Sequence, residues 1–263
     1  MVNSPSMELY SNVLMEVANL TTSIPSVVPS TISRRLSEAG LRSQRPLRRL
    51  PLTPQHRRSR LEWSHSRSSW LPLDYHHVVF SDESRLTLEA DDHRVRVWKG
   101  RGQRSQSAFV LQRHTAITPG VMVWGAISYD SRSSLVILRT SLTVQRYIDT
   151  ILRPVALRFM ARHPGAIFQQ DNARPHTARI YLDCLHAVDI LPWPARSLDL
   201  SPVEHVWDMV DRQIRAPQNI ANLERQLMNA WQNVSEDDIR NLYHSSPRRI
   251  QACIATRSGS TNY

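Results

Sequence analysis

VVFSDES, residues 78–84, is the stretch on which the fold turns. Val78, Val79 and Phe80 form an unbroken apolar run of the kind found in strands buried on both faces, and it runs straight into an acid, Asp82. A carboxylate at the end of a buried strand is costly unless it meets something charged. The same pattern recurs in AIFQQD, residues 166–171, which ends on Asp171. A third acid, Glu204, opens a helical pattern in DLSPVEHVW, residues 199–207. Converging, the three make an open set of oxygen ligands for divalent metal, suited to phosphodiester cleavage and transfer.

Each acid also has a plain structural role open to it. Ser81-Asp82-Glu83-Ser84 suits a chain reversal. Asp171 can cap a helix that Asn172 and Pro175 begin. Ser201, Pro202, Val203 and Glu204 fit the N-cap to N3 positions of a capping box, in which Glu204 needs no metal. The metal reading explains the three together.

Around these acids the chain alternates between two kinds of pattern. HVVFSD, RLTLEA, RVRVWKG, GVMVWGAIS and SLVILR, all between residues 77 and 139, read as short strands. TVQRYIDTILRPVALRFMARH (143–163) reads as a long amphipathic helix kinked at Pro154. AIFQQD is a strand, PHTARIYLDCLHA (175–187) a helix with Pro175 at N1, and VDILPWP (188–194) a strand and turn. SPVEHVWDMVDRQIR (201–215) is a helix, and two more follow at about 221–233 and 236–254. The sum is an α/β domain, a mixed sheet flanked by helices. Seven glycines and no glycine-rich phosphate loop exclude a dinucleotide fold. Trp98, Trp124, Trp193 and Trp207 read as core.

The 263 residues carry a net charge of +10, and the charge is concentrated. Residues 34–67 hold ten Arg and two Glu, a local excess of eight, and Lys99 is the sole lysine. Arg forks match phosphate oxygens and guanine edges, so nucleic acid is the expected partner. Two distant cysteines, Cys184 and Cys253, without a CxxC, argue against structural zinc and for a reducing compartment. No apolar run approaches ~18 residues, so no membrane span is expected. Within the basic region, ISRRLSEAG (32–40) reads as a short helix stopped by Gly40. LRSQRPLRRLPL (41–52) reads as a connector, and Thr53-Pro54 as the start of a second basic helix reaching about Trp70.

VVFSDESRL, HRVRVWKG, GVMVWGAIS, YIDTILRPV, FQQDNARPHTA, LPWPARS and DLSPVEHVWD, in this order, resemble the DDE transposases of the Tc/mariner superfamily, in the Tc-like branch. The likeness covers roughly residues 32–256. It implies a ribonuclease H-like catalytic domain, with Asp82, Asp171 and Glu204 as catalytic and metal-binding residues. It also implies two Mg²⁺ ions per site, with Mn²⁺ as substitute, and metal-dependent cleavage and strand transfer at element ends. Double-stranded DNA with inverted-repeat ends would be the substrate, a homodimer on DNA the working form, and the nucleus the location.

The implied domains are an atypical segment 1–30, a partial helix-turn-helix and basic linker 31–75, a catalytic domain 76–256 and a tail 257–263. Segment 31–75 reads as a small basic helical remnant of a helix-turn-helix domain, as in an N-terminally truncated copy. DNA contacts fall on Arg34, Arg35, Arg42, Arg45, Arg48, Arg49, Arg57, Arg58 and His176. Between Asp171 and Glu204 stand 32 residues, two fewer than this branch usually has, the loss lying between Thr177 and Leu191. A catalytically decayed, DNA-binding remnant is the competing reading, and metal-dependent nicking separates the two.

Overall fold

The computed structural model of the protein describes residues 28–44, 47–48, 52–88, 97–99, 110–111, 119–259 and 261. It divides into a smaller unit, residues 1–47 with 95–110, and a larger one, residues 48–94 with 111–263. In the smaller unit a helix spans Pro29–Glu38, with proline in its first turn. Gly40 follows at φ 76°, the left-handed conformation that ends helices and that a side chain disfavours. Arg42–Gln44 then pairs antiparallel with Val97–Lys99.

The larger unit opens with helix α1, Pro54–His65. Thr53 Oγ1 accepts the His56 N–H at 3.2 Å, and His56 Nδ1 accepts the Thr53 N–H at 3.3 Å, so a histidine completes the reciprocal cap. The helix stops short of Trp70. Ser66 and Ser68 donate their hydroxyls to the Trp63 and His65 carbonyls at 2.9 and 2.8 Å, and such bonds compete with helix continuation.

Five strands form the sheet: β1 Val78–Thr87, β2 Gly120–Ile127, β3 Val136–Leu138, β4 Ile167–Gln169 and β5 Ile190–Leu191. Their order is β3-β2-β1-β4-β5, with β1 central. The β1–β2 and β2–β3 pairs are antiparallel, and the β1–β4 and β4–β5 pairs parallel. VVFSD and RLTLE are one strand rather than two, because β2 pairs with β1 without a break from Phe80↔Ile127 to Thr87↔Gly120. Asp82 therefore lies mid-strand. A lip exists only on the β4 side, where the parallel partner ends at Gln169.

The long helix between β3 and β4 is α-helical over Val144–Tyr147, π-helical over Ile148–Ala156 and α-helical again over Leu157–Met160. Pro154 sits inside the π stretch. A proline lacks the N–H and collides with the carbonyl four residues back, and the wider π turn relieves that collision in place of a sharp kink. After β4, Arg174–Thr177 forms a 3₁₀ turn, and the α-helix expected from Pro175 begins only at α2, Arg179–Cys184. Ala178 between them is extended, at ψ 138°. Helices α3 Pro202–Gln213, α4 Ile220–Gln232, α5 Glu236–His244 and α6 Ser246–Ala255 complete the unit. The single helix expected over 236–254 is split at Ser245, where Pro247 in the first turn of α6 starts a new helix.

Two cores flank the sheet. Val78, Phe80, Val121, Val123 and Ile127 pack with Trp63, Trp193 and residues of α3–α6. Val79, Trp124 and Ala126 pack on the other face with Tyr147, Ile151, Phe159 and Tyr181. The period of two along β1 thus fixes which helix each acid meets. Among the described residues no helix is long and apolar enough to cross a membrane.

Candidate active site

Val78, Val79 and Phe80 stand opposite Ile167, Phe168 and Gln169. The pairing ends there, and Asp171 follows two residues beyond the strand with its Oδ1 on His176, the ring that also meets Glu83. Ser81 Oγ donates to the Gln169 carbonyl at 2.9 Å and holds the strands together beyond the last paired residue.

Asp82 shares a sheet face with Val78 and Phe80, the face covered by α3. There Trp207 Nε1–H donates to Asp82 Oδ2 at 3.1 Å. Glu204 lies three residues before Trp207, hence on the same helix face and one turn nearer the N-terminus. The Asp82 carboxyl is pushed well above its ordinary range, first by burial and then by the charges of Glu204, Glu83 and Asp171. Its exposed fringe does not offset the close packing around it. Ser201 is the N-cap of α3 and proline occupies its first turn, but the Ser201 hydroxyl caps no amide. The capping box that would give Glu204 a purely structural role is therefore incomplete. Between Asp171 and Glu204, β5 pairs in register with β4 through Phe168↔Ile190 and Gln169↔Leu191, and helix α3 lies against β1.

Glu83 is the acid that the sequence motifs pass over. It points to the opposite face, with Val79, and there it meets His176. His176 is 4% exposed; its Nε2 is 3.5 Å from Glu83 Oε1, and its Nδ1 is 2.8 Å from Asp171 Oδ1. Burial alone would lower the imidazole, but hydrogen bonds and charge from Asp171 and Glu83 raise it to about 10. Burial likewise pushes the Asp171 carboxyl up, and the His176 ring with the Ala173 N–H outweighs it and holds the group below its ordinary value. Ligand atoms of Glu83, Asp171 and His176 lie within 4.8 Å of one another. Without a cation, the His176 ring between the two carboxylates ties Asp171 to Glu83. Both ring nitrogens of His176 face carboxylates, and its burial leaves no nitrogen accessible to a DNA phosphate.

A pH consequence follows from the sign of that shift. A histidine raised from 6.5 to about 10 contributes stability that is complete below pH 6.5 and is lost as pH climbs through 10. His176→Gln should therefore be most destabilised relative to wild type near pH 6, with the gap closing towards pH 10. Urea denaturation at four or five pH values measures this. A gap that widens with pH would contradict the assignment.

Carboxylate oxygens suit a hard divalent cation, but among the described residues the ligand atoms that lie within 4.8 Å of one another are those of Glu83, Asp171 and His176, without Asp82 or Glu204; Asp171 is 47% exposed. Of the basic residues expected on DNA, Arg34, Arg35, Arg42, Arg57 and Arg58 are exposed. Arg45, Arg49 and the side chain of Arg48 lie outside the described residues. Arg60 is different. It is 1% exposed and grips Asp199 with NH1 on Oδ1 at 2.7 Å and NH2 on Oδ2 at 2.8 Å. Asp199 also accepts the Thr261 hydroxyl at 2.9 Å. This buried pair fixes the turn Leu198–Leu200, which delivers the chain to Glu204.

Comparison with known proteins agrees with this arrangement. Residues 14–69 match a helix-turn-helix family described as "Transposase", and residues 77–226 match the family described as "DDE superfamily endonuclease". The first match begins well upstream of the basic segment. The chain is similar to the Tcb2 transposase of Caenorhabditis briggsae, 32% identical over 248 residues, which cover 90% of this chain and 89% of that relative. It is similar to the Tc1 transposase of Caenorhabditis elegans, 32% identical over 247 residues with the same coverage of both chains. Among solved structures, a Mos1 transposase paired-end complex superposes with a TM-score of 0.66 at 19% identity, covering 90% of this chain and 72% of that one. The mixed sheet flanked by helices is ribonuclease H-like, as the sequence motifs imply. With a DDE endonuclease match across more than half its length and Tc1-type relatives along nearly all of it, the chain belongs to the DDE transposase superfamily, in its Tc-like branch.

Proposed function

We propose that the protein is a DNA transposase that cuts element ends and joins them to new DNA, with Asp82, Asp171 and Glu204 as its catalytic acids. The observation that carries this reading is the placement of the acids in a chain that matches the DDE endonuclease family over residues 77–226: Asp82 on the central strand takes the indole N–H of Trp207, one turn along the helix that Glu204 opens, and burial first, then the charges of Glu204, Glu83 and Asp171, raises its carboxyl. Asp82, Asp171 and Glu204 would hold the divalent cations. His176 and Glu83 keep the Asp171 carboxylate ionised and oriented. Two Mg²⁺ ions, or Mn²⁺ in their place, would supply activation of a water or 3′-hydroxyl and stabilisation of the leaving oxygen. The exposed Arg side chains neutralise phosphates of double-stranded DNA, with the inverted-repeat ends as the specific target and a homodimer pairing them, in the nucleus.

The test is incubation of the full chain with supercoiled plasmid carrying candidate element ends, in Mn²⁺, in Mg²⁺ and in chelator. Metal-dependent nicking is expected, with DNA binding that weakens steeply as salt rises. Folded protein that binds this DNA yet never nicks it in either metal would defeat the catalytic reading.

A further inference from the structure

Asp82 accepts a side-chain hydrogen bond from an indole. Trp207 Nε1–H meets Oδ2 at 3.1 Å. Trp207 is 4% exposed and is itself held in place: it stacks on Trp231 with ring centroids 4.9 Å apart and an interplanar angle of 27°. Trp231 is anchored by its own indole N–H on the Ser133 carbonyl at 2.9 Å.

Room for both rings comes from the residue paired with Asp82. Asp82 stands opposite Gly125 in the β1–β2 ladder. A Cβ at position 125 would come within 2.6 Å of Trp231 Cη2 and 3.1 Å of Trp207 Cη2. Any side chain there pushes the stacked indoles, and with them the donor on Asp82.

We infer that Trp207, seated by Gly125 and Trp231, is a positioning residue that fixes which oxygen and which rotamer Asp82 presents to a divalent cation. The inference rests on the proposed function, because it concerns how Asp82 serves the cation site. A fixed N–H aimed at one carboxylate oxygen lowers the cost of keeping that acid ionised and leaves the other oxygen in one direction. Outer partners of this kind typically alter metal affinity by about 10- to 100-fold. Helix α3 then carries two functions one turn apart: Glu204 offers oxygens, and Trp207 orients the acid across from it.

The experiment is a Mn²⁺ titration of the full chain followed by electron paramagnetic resonance, run beside plasmid nicking. Trp207→Phe keeps an aromatic ring against Trp231 and removes the donor. Its half-saturating Mn²⁺ concentration should rise by about tenfold or more, with nicking partly recovered at high Mn²⁺. Trp63→Phe loses an indole hydrogen bond, to the Pro192 carbonyl, outside the Trp207–Trp231 stack and away from Asp82, and its Mn²⁺ affinity should stay within about threefold of wild type. A shift below about threefold in Trp207→Phe, or an equal shift in both variants, overturns the inference. If Trp207→Phe does not fold, Gly125→Ala takes its place with the same expected rise and the same limit. Asp82→Ala separates this inference from the reading beneath it. Nicking that survives Asp82→Ala refutes the proposed function. Nicking lost there, with Mn²⁺ affinity unmoved in Trp207→Phe, refutes only the role of Trp207.

Discussion

Asp82→Asn should abolish metal-dependent nicking and, without metal, make the protein more stable. The loss of cleavage is expected to be on the order of 10³-fold or more, because the amide cannot hold cation at the centre of the site. The gain in stability follows from the direction of the Asp82 shift. Burial and the charges of Glu204, Glu83 and Asp171 raise the folded-state carboxyl well above its ordinary 3.8. A group raised in this way costs stability at every pH above the unfolded value, and the cost grows until pH passes the folded value. An asparagine does not carry it. The melting temperature of Asp82→Asn should therefore exceed that of wild type at neutral pH, with the difference fading towards pH 4. Each 1 kcal/mol recovered corresponds to about 2–4 °C in a chain of this size. Saturating Mn²⁺ should stabilise the wild type and leave the variant unmoved, since only a state that binds cation gains from it. A variant that melts lower than wild type, or that still nicks, would contradict the account of Asp82.

Arg60→Ala should produce the largest loss of stability among the arginines. It removes a bidentate partner from Asp199, whose side chain is 17% exposed, and leaves a carboxylate facing the core. Burial pushes Asp199 up, and Arg60 outweighs that to hold it below the usual carboxylate range, so the charge depends on its partner. Breaking a buried pair from one side typically costs about 3–5 kcal/mol, or about 6–20 °C here. Replacing both members, Arg60→Met with Asp199→Leu, should recover most of the loss, since the desolvation cost vanishes with the charges. DNA binding separates Arg60 from the surface arginines. Arg58→Ala should flatten the salt dependence of DNA binding by about one unit of slope, whereas Arg60→Ala, at temperatures where it remains folded, should leave the slope unchanged. Equal stability losses for Arg58→Ala and Arg60→Ala would show that the pair is not a structural tie.

Much of the fold was legible because strand patterns and chain order are local. VVF, VMVW and AIF mark buried strands, and the polar residues after VVF and AIF mark where the β1–β4 pairing stops. The boundaries that differ have tertiary causes. Polar Ser81–Ser84 stay in β1 because β2 pairs across them, and the π turn at Pro154 depends on packing that the sequence does not display. Similar limits apply to the site. Three motif acids were readable, since each follows a strand or opens a helix. Glu83 was hidden in plain view: alternation along β1 sends it to the face opposite Asp82, but only the placement of His176 there gives it a role. Trp207 reads as core and is core, and its single N–H on Asp82 cannot be seen without the α3–β1 contact. Arg60 is indistinguishable from its basic neighbours until Asp199, far along the chain, folds back onto it.

The account as a whole depends on Asp82, Asp171 and Glu204 sharing one cation site. Loading the folded chain with Fe²⁺ in place of Mn²⁺ and adding ascorbate and peroxide generates hydroxyl radicals that cut backbone beside the metal, and mass spectrometry locates the cuts. Cuts are expected next to all three acids, and their loss together in Asp82→Asn. Cuts beside the two aspartates but none near Glu204, or a pattern unchanged in Asp82→Asn, would contradict it.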